Sequence, residues 1–468
     1  MTRVRVPLSG LSGIGWPAVP RGRDTAVLAL QHQLDRTQWW SPKDLRAMQL
    51  RQLESLAAHA ARTVPFYQDR LKVLAGIRKG GLTMEAWRRI PILRRADIQE
   101  AAAEMASRAP PKDHGQVTEA KTSGSTGRPI TVKVTAVTGL FFAALNLRYH
   151  LWFDRDFTAR VAGIRSISGL QAAAAAANKP LPWVPGYPSG PMYFFDISRP
   201  VGEQLEWLAR VQPDYLLTNP SNLQALVERG RQQGFRFTRL RDVTTMGEAL
   251  DEATREAGEE GWGVPVRDIY SAEEMGLIAL QCPERPHYHV QSESLLVEIL
   301  NDADAPCGPG EAGRVVLTDL HNYAMPLIRY ELGDYAVAGA PCPCGRGLPV
   351  IERVLGRQRN MLTLPSGDVL WPNLPPKPLT AIASLRQFQI VQTSLDEIEV
   401  KVVAAGALSA EEEERFRAYL VENFRHPFAI RFIHVDEIPR SPSGKFEGFI
   451  SLVGRPASRD SGGPGGNP

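Results

Sequence analysis

Thr122-Ser123-Gly124-Ser125-Thr126-Gly127-Arg128-Pro129 is a run of small hydroxyl residues and glycines closed by a proline. Glycine lets a backbone come close to a polyphosphate and turn its amides toward it, and Ser and Thr hydroxyls add short, rotatable donors. Val117-Thr118 before the run and Ile130-Thr131-Val132-Lys133-Val134 after it alternate as strands do, so the run is expected to join two strands as a phosphate-holding loop. It is not the P-loop of common NTPases, because no Gly-Lys-Ser/Thr follows at the required spacing and no helix pattern begins there. Taken alone, it reads equally as a Ser/Gly-rich surface turn. The rest of the chain decides between the two.

Downstream, helix and strand patterns alternate. Leu205, Leu208 and Val211 fall on one helical face, Tyr215-Leu216-Leu217 reads as a strand, and Leu223, Leu226 and Val227 mark the next helix. Val243-Thr244-Thr245 and Val266 to Tyr270 follow as further strands. Repeated βα units predict a mainly parallel sheet with helices on both faces, whose ligands bind beyond the carboxyl ends of the strands. Met246-Gly247-Glu248 and Tyr270-Ser271-Ala272-Glu273-Glu274 sit at two such ends. Upstream, Leu45, Met48, Leu50, Leu53 and Leu56 recur at helix spacing, and Phe141, Phe142, Leu145 and Leu147 mark another helix with packing as its first role. Ala172 to Ala177 reads as a helix or a lid. Toward the C-terminus, strands over Phe388 to Gln392, Ile398 to Val403 and Ile430 to Val435, with a helix from Ser409 carrying Glu412 at the capping-box position, predict a small α+β domain.

The chain of 468 residues exceeds what one core usually serves, and 43% hydrophobic content supports a substantial interior. The expected division is an irregular arm over 1–25, a large domain over 26–356, a small mobile lid over 357–455 and a disordered tail over 456–468. Basic and acidic residues nearly cancel, 54 against 51, which gives no electrostatic reason for a nucleic-acid partner. The basic start is followed by Gly, Ser and Pro rather than an apolar run, and no stretch of 18 apolar residues occurs, so a soluble cytoplasmic protein is expected, monomeric or homodimeric.

Four cysteines in so long a chain do not form a disulfide scaffold. Cys282 and His289, followed by Cys342-Pro343-Cys344, offer three thiolates and an imidazole, the closed ligand set of a structural zinc site. His287 competes with His289, and buried free thiols with a surface histidine are the plainer alternative. Cys307 lies in a turn and is assigned no role.

The Thr122 to Pro129 run resembles the signature of the adenylate-forming superfamily of acyl- and aryl-CoA ligases, and its lack of a lysine after the proline resembles the phenylacetate-CoA ligase branch. The stretches Met246-Gly247-Glu248, Tyr270 to Glu274, Arg329-Tyr330-Glu331-Leu332-Gly333-Asp334, Gly356-Arg357 and Ser443-Gly444-Lys445 match that family in order, over about residues 45 to 452. The final Cys-x-Cys-Gly-Arg, Cys342 to Arg346, and Arg386-Gln387-Phe388-Gln389 resemble the same branch and its capsule-biosynthesis-associated group.

The resemblance implies ATP-dependent activation of a carboxylic acid, aryl or arylacetic, as an acyl-adenylate with release of pyrophosphate, then transfer to a thiol, by default CoA. It implies that Thr122, Ser123, Gly124, Ser125, Thr126 and Gly127 hold phosphates, with Gly247, Glu248 and Ser271 near the nucleotide. Tyr270 would lie against adenine, Asp334 would accept from the ribose hydroxyls with Arg357 behind it, and Glu274 would hold magnesium, an ion that prefers hard oxygen ligands. Lys445, on a flexible stem after glycine, would neutralise the transition-state phosphate once the domains close. Arg359 departs from the family's hinge aspartate, which keeps open an amine or a carrier protein as acceptor in place of CoA. A relative that binds nucleotide without turnover is a third expectation, and the intact Glu274 and Lys445 argue against it.

Overall fold

The computed structural model describes residues 5–14, 16–121, 129–372, 374, 379, 382, 385–404, 406–439 and 446–453. The chain divides into two compact units, one running up to Gly356 and one beginning at Arg357.

The large unit is organised on a twelve-stranded sheet. Its first half is built as the alternation of patterns requires. Pro191–Asp196, Val161–Arg165, Tyr215–Thr218, Asp242–Met246 and Val266–Ala272 lie side by side and parallel. The helices Val201–Val211, Pro220–Gln233 and Glu252–Trp262 make the crossovers between consecutive members. Such crossovers are what parallel neighbours need, because a tight turn cannot reverse direction twice. These helices bury Leu205, Leu208, Leu223 and Leu226 against Val243 and Val266 of the sheet.

The parallel character stops at Val266–Ala272. Gly276–Gln281 returns antiparallel to it, and Tyr288–Val290 pairs antiparallel with both Gly276–Gln281 and Val350–Arg357. Leu295–Leu300, Ala312–Asp319 and Tyr330–Ala338 complete this half as an antiparallel meander. The turns here hold no helix, so hairpins replace crossovers, and the sheet is mixed. Parallel pairing is confined to the half that the helical spacing marks.

Thr118–Lys121 and Thr131–Val134 form a separate antiparallel hairpin with Lys121 opposite Thr131. The loop that joins them, residues 122–128, lies outside the described residues. The helix Pro42–Thr63 begins with Ser41, whose Oγ accepts the Asp44 amide at 3.2 Å. It buries Leu45, Leu53, Leu56 and Ala60 and leaves Met48 in solvent. Full burial of a leucine such as Leu53 or Leu56 contributes about 1.5–3 kcal/mol, so this face fixes the helix on the core that also holds Trp87, Tyr330 and Ile351. Ala136–Trp152 is helical and turns Phe142 outward, while Gly169–Ala176 takes the helical alternative for the alanine run. No helix among the described residues is long and apolar enough to cross a membrane.

The smaller unit holds a four-stranded sheet in the order Ala429–His434, Glu397–Ala404, Leu385–Gln392, Phe449–Ser451, antiparallel at its centre and parallel at its two outer joins. The helix Ala410–Phe424 starts with the expected capping box. The Ser409 amide donates to Glu412 Oε2 at 2.8 Å, and the Glu412 amide donates to Ser409 Oγ at 3.2 Å. Phe416, Leu420 and Phe424 cover the sheet.

Candidate active site and metal centre

The strand Asp242–Met246 ends at Gly247, whose φ of +88° is one that a side chain rarely tolerates. Glycine there turns the chain so that the Glu248 carboxylate accepts from the Ser221 amide at 2.9 Å and from Ser221 Oγ at 3.0 Å. Ser221 lies in the first turn of the helix Pro220–Gln233, where unsatisfied amides and the helix dipole favour a negative charge. Glu248 therefore ties the end of one strand to the helix before it.

Tyr270 is buried within the strand Val266–Ala272, which also contains Ser271, and Tyr270 Oη donates to Asp334 Oδ2 at 2.9 Å. Asp334 belongs to the strand Tyr330–Ala338, so two motifs 64 positions apart meet through one hydrogen bond. Glu274 follows the Tyr270 strand in the turn before Gly276 and is nearly buried. Tyr330 Oη donates to Glu274 Oε1 at 3.2 Å, and Arg95 Nη1 lies 4.0 Å from the same oxygen. Burial and the neighbouring Glu274 charge raise the Tyr330 phenol well above its ordinary value, which keeps it protonated and donating.

Arg329 explains how Arg95 arrives there. It is buried at φ +50°, an uncommon conformation for a residue with a side chain. Its guanidinium donates to Glu298 Oε2 at 3.1 Å and to the carbonyls of Arg88 and Ile90, each at 2.6 Å. Its own carbonyl accepts the Leu93 amide at 2.9 Å, and the Glu331 amide donates to the Leu93 carbonyl at 2.9 Å. The motif arginine thus pins the segment leading into the helix Arg95–Glu100 beside Tyr330.

Glu274 and the Gly247-Glu248 turn follow strand ends of one sheet, whereas Tyr270 and Asp334 lie within two of its strands. Tyr330, Arg95 and Ser221 are added by the structure. Tyr330 stood inside a recognised motif without a role, whereas Arg95 and Ser221 carry no local signal, because their partners are remote in sequence. Thr122, Ser123, Gly124, Ser125, Thr126, Gly127 and Lys445 lie outside the described residues. Arg357 opens the smaller unit, its amide donating to Asn360 Oδ1 at 3.1 Å.

A second constellation is formed by Cys282, His289, Cys342 and Cys344, whose candidate ligand atoms all lie within 4.8 Å of one another. Cys282 follows the strand Gly276–Gln281, and His289 comes from the paired strand Tyr288–Val290. Cys282 Sγ and Cys342 Sγ are 3.9 Å apart, and Cys344 Sγ is 3.3 Å from His289 Nε2. Tetrahedral zinc with its usual bond lengths sets sulfur atoms about 3.8 Å apart, so the donor set fits that ion. Burial pushes the His289 imidazole down to about 4, which keeps it neutral and able to ligate. Burial pushes the Cys342 thiol up to about 12, so a metal would have to displace its proton. His287 is buried beside the cluster, its ring centroid 5.6 Å from that of His289.

The Cys342 to Arg346 turn is anchored from outside. Arg346 stacks its guanidinium over Trp39 and Trp152, 4.7 and 4.6 Å from their centroids, and donates from Nε to Gln38 Oε1 at 3.0 Å. Gly347 donates to the Gln38 carbonyl, and a Cβ at this position would meet the Trp40 carbonyl oxygen at 1.7 Å.

Comparison with known proteins bears on the fold and its relatives. The CapK C-terminal domain family matches residues 377–451. The phenylacetate-coenzyme A ligase of Thermus thermophilus is 28% identical over 446 residues, which cover 87% of this chain and 96% of that protein. A crystal structure of 2-hydroxyisobutyryl-CoA ligase in its postadenylation state shares the fold with a TM-score of 0.69 at 20% identity, covering 86% of this chain and 88% of that one. An anthranilate CoA ligase structure matches with a TM-score of 0.53 at 17% identity, over 71% of this chain and 66% of the other. The fold is the one these CoA ligase structures have. Along most of its length the chain is similar to phenylacetate-coenzyme A ligases, and its C-terminal region to the CapK C-terminal domain family.

Proposed function

We propose that the chain activates a carboxylic acid with Mg-ATP and passes the acyl group to CoA. A carboxylate oxygen attacks the α-phosphorus and pyrophosphate leaves. The acceptor thiol then attacks the acyl carbon, AMP leaves, and the thiol proton passes to solvent. The observation that carries this reading is the pair of hydrogen bonds Tyr270–Asp334 and Tyr330–Glu274, which join motifs remote in sequence on a sheet of the fold that CoA ligase structures have.

In this reading Glu274 holds magnesium against the phosphates, with Tyr330 and Arg95 limiting the rotamers of its carboxylate. Asp334 accepts from the ribose, oriented by Tyr270, whose ring faces adenine. Gly247, Glu248 and Ser271 shape the nucleotide wall, and Arg357 supports Asp334. The loop Thr122 to Gly127 holds the phosphates, and Lys445 stabilises the charge that develops as pyrophosphate departs. Cys282, His289, Cys342 and Cys344 hold a structural zinc ion, which would cross-link the strands that carry them. The acid is aryl or arylacetic, after the relatives.

A second reading, an amide or carrier-protein ligase working through the same adenylate, is favoured by Arg359. Its guanidinium is paired with Glu447, 2.7 Å away, where relatives place a hinge aspartate. Pyrophosphate release with Mg-ATP, measured over aryl, arylacetic, fatty and amino acids, tests both readings when CoA, hydroxylamine, an amine and a carrier protein are compared as acceptors. An aryl or arylacetic acid that releases pyrophosphate with hydroxylamine and faster with CoA is the expected result. A response only to an amine or a carrier protein selects the second reading, and silence over the whole panel removes both.

A further inference from the structure

We infer that a cleft in the large unit, separate from the carboxylate corner, binds a small organic monocarboxylate with an apolar body. The cleft has a volume of about 310 Å³, and none of Gly247, Glu248, Tyr270, Glu274 or Asp334 lines it. Val290, Val297, Ile299, Val350 and Ile351 give it an apolar wall, while Arg46, Arg88 and Glu298 supply charge.

The charges are not balanced. Arg46, half-buried on the helix Pro42–Thr63, donates to Met84 Sδ at 3.4 Å, and a thioether is a weak acceptor for a guanidinium. Arg88 Nε lies 3.6 Å from Glu298 Oε1, an ion pair too long to be a hydrogen bond. That oxygen is buried with no hydrogen-bond partner, and its twin Oε2 is taken by Arg329 at 3.1 Å. Arg46, Arg88 and Arg329 therefore surround one carboxylate, which leaves two positive charges in excess. Burial depresses the pKa of Arg46; the Glu298 charge opposes this, and the Arg88 charge adds to it more weakly. Arg46 and Arg88 both line this apolar cleft, and a carboxylate that enters it matches their planar donors. Arg346 also lines the cleft, but its guanidinium is occupied by Trp39, Trp152 and Gln38.

The lining selects among anions. A phosphate dianion would bury several oxygens against valine and isoleucine without donors, whereas an aryl or alkyl acid places one carboxylate on the arginines and its body on the apolar wall. Such an occupant would act as an effector, because the cleft shares no residue with the corner that carries the chemistry.

Cys307 makes the cleft measurable. It is half-buried, lines the cleft, and its thiol lies 3.6 Å from the Ala312 carbonyl oxygen. Alkylation of Cys307 by N-ethylmaleimide in the full-length protein, followed by mass spectrometry, reports occupancy here independently of any adenylation. Benzoate and octanoate are compared with inorganic phosphate and chloride at matched ionic strength. At least one of the two acids should slow Cys307 alkylation saturably. Arg46→Gln and Arg88→Gln should each weaken that protection about tenfold or more, as expected for loss of a charged hydrogen-bond donor, while the melting temperature and the alkylation rate without acid stay unchanged. No protection by either acid overturns the inference, as does protection that survives both substitutions. Protection by phosphate alone overturns the assignment to a monocarboxylate.

Discussion

The carboxylate corner and the Cys3His cluster lie on the same sheet and differ in how complete they are. Each joins residues more than fifty positions apart in sequence. The cluster draws its ligands from the paired strands Gly276–Gln281 and Tyr288–Val290 and from one turn, and all four candidate ligand atoms are already close enough to share one ion. The corner presents the hydrogen bonds Tyr270–Asp334 and Tyr330–Glu274, yet in our reading it also needs Lys445, which lies outside the described residues. A structural metal site gains from being closed by the fold, whereas a catalytic site has to admit substrates and release products. The two regions should therefore fail in different ways.

The largest expected effect is on turnover without loss of stability. Lys445→Ala should lower the rate of ATP–pyrophosphate exchange by about 10²–10³, the usual consequence of removing one preorganised transition-state charge, with the melting temperature unchanged. The same variant should still transfer a supplied acyl-adenylate to CoA, and retained exchange would remove the lysine from its role.

The converse is expected at the cluster. Cys342→Ser should lower stability by more than about 2 kcal/mol, because loss of a structural metal belongs to the severe class of lesions. Purified without chelator, the unaltered protein should carry close to one zinc per chain, and less than about half would count against the site. If Cys342→Ser kept both its melting temperature and its metal, the contrast between the two regions would collapse.

A smaller effect concerns the hinge. Arg359 Nε donates to Glu447 Oε1 at 2.9 Å, and Asn360 Nδ2 donates to the Phe449 carbonyl at 2.9 Å, so the turn after Arg357 grips the segment that follows Lys445 within one unit. Both partners of the ion pair are partly exposed, and such pairs are worth about 1 kcal/mol or less. Arg359→Glu should slow adenylation about threefold, with Glu447→Arg restoring it when the two are combined. Equal loss in the single and double variants would show that the pair does not position the lysine segment.

The smallest effect is on pH dependence. Burial pushes His321, stacked 3.7 Å from Phe141, down to about 4. The unfolded chain then takes up a proton that the folded one refuses, so this residue makes stability rise as pH increases from about 4 to 6.5 and adds nothing above that. In His321→Gln, the rise in melting temperature between pH 4.5 and 6.5 should be shallower than in the unaltered protein, and an identical slope would contradict the shift.

Much of the site was legible because its residue types are forced by local geometry or by chemistry. Gly247 has a positive φ, Glu274 follows a strand, the place where such sheets bind ligands, and soft donors in a Cys-x-Cys turn suit zinc. The capping box at Ser409 and the parallel run from Tyr215 to Ala272 were legible for the same reason, since caps and helical crossovers are local patterns. The antiparallel half of the sheet was less so, because short apolar strands between hairpins show no helix spacing to mark their direction. Tyr330 on Glu274, Arg95 beside it and Ser221 under Glu248 depend on long-range register alone. So does the placing of Arg46 and Arg88 along one apolar cleft, which no motif announces.

The most direct test of the central claim follows one oxygen. An acid that releases pyrophosphate in the panel should be supplied with both carboxylate oxygens as ¹⁸O, together with Mg-ATP and CoA, and the AMP formed examined by mass spectrometry. Activation through an acyl-adenylate transfers one labelled oxygen from the acid to the phosphate of AMP. Label recovered in inorganic phosphate, or AMP formed without label, would contradict adenylation as the reaction of this site.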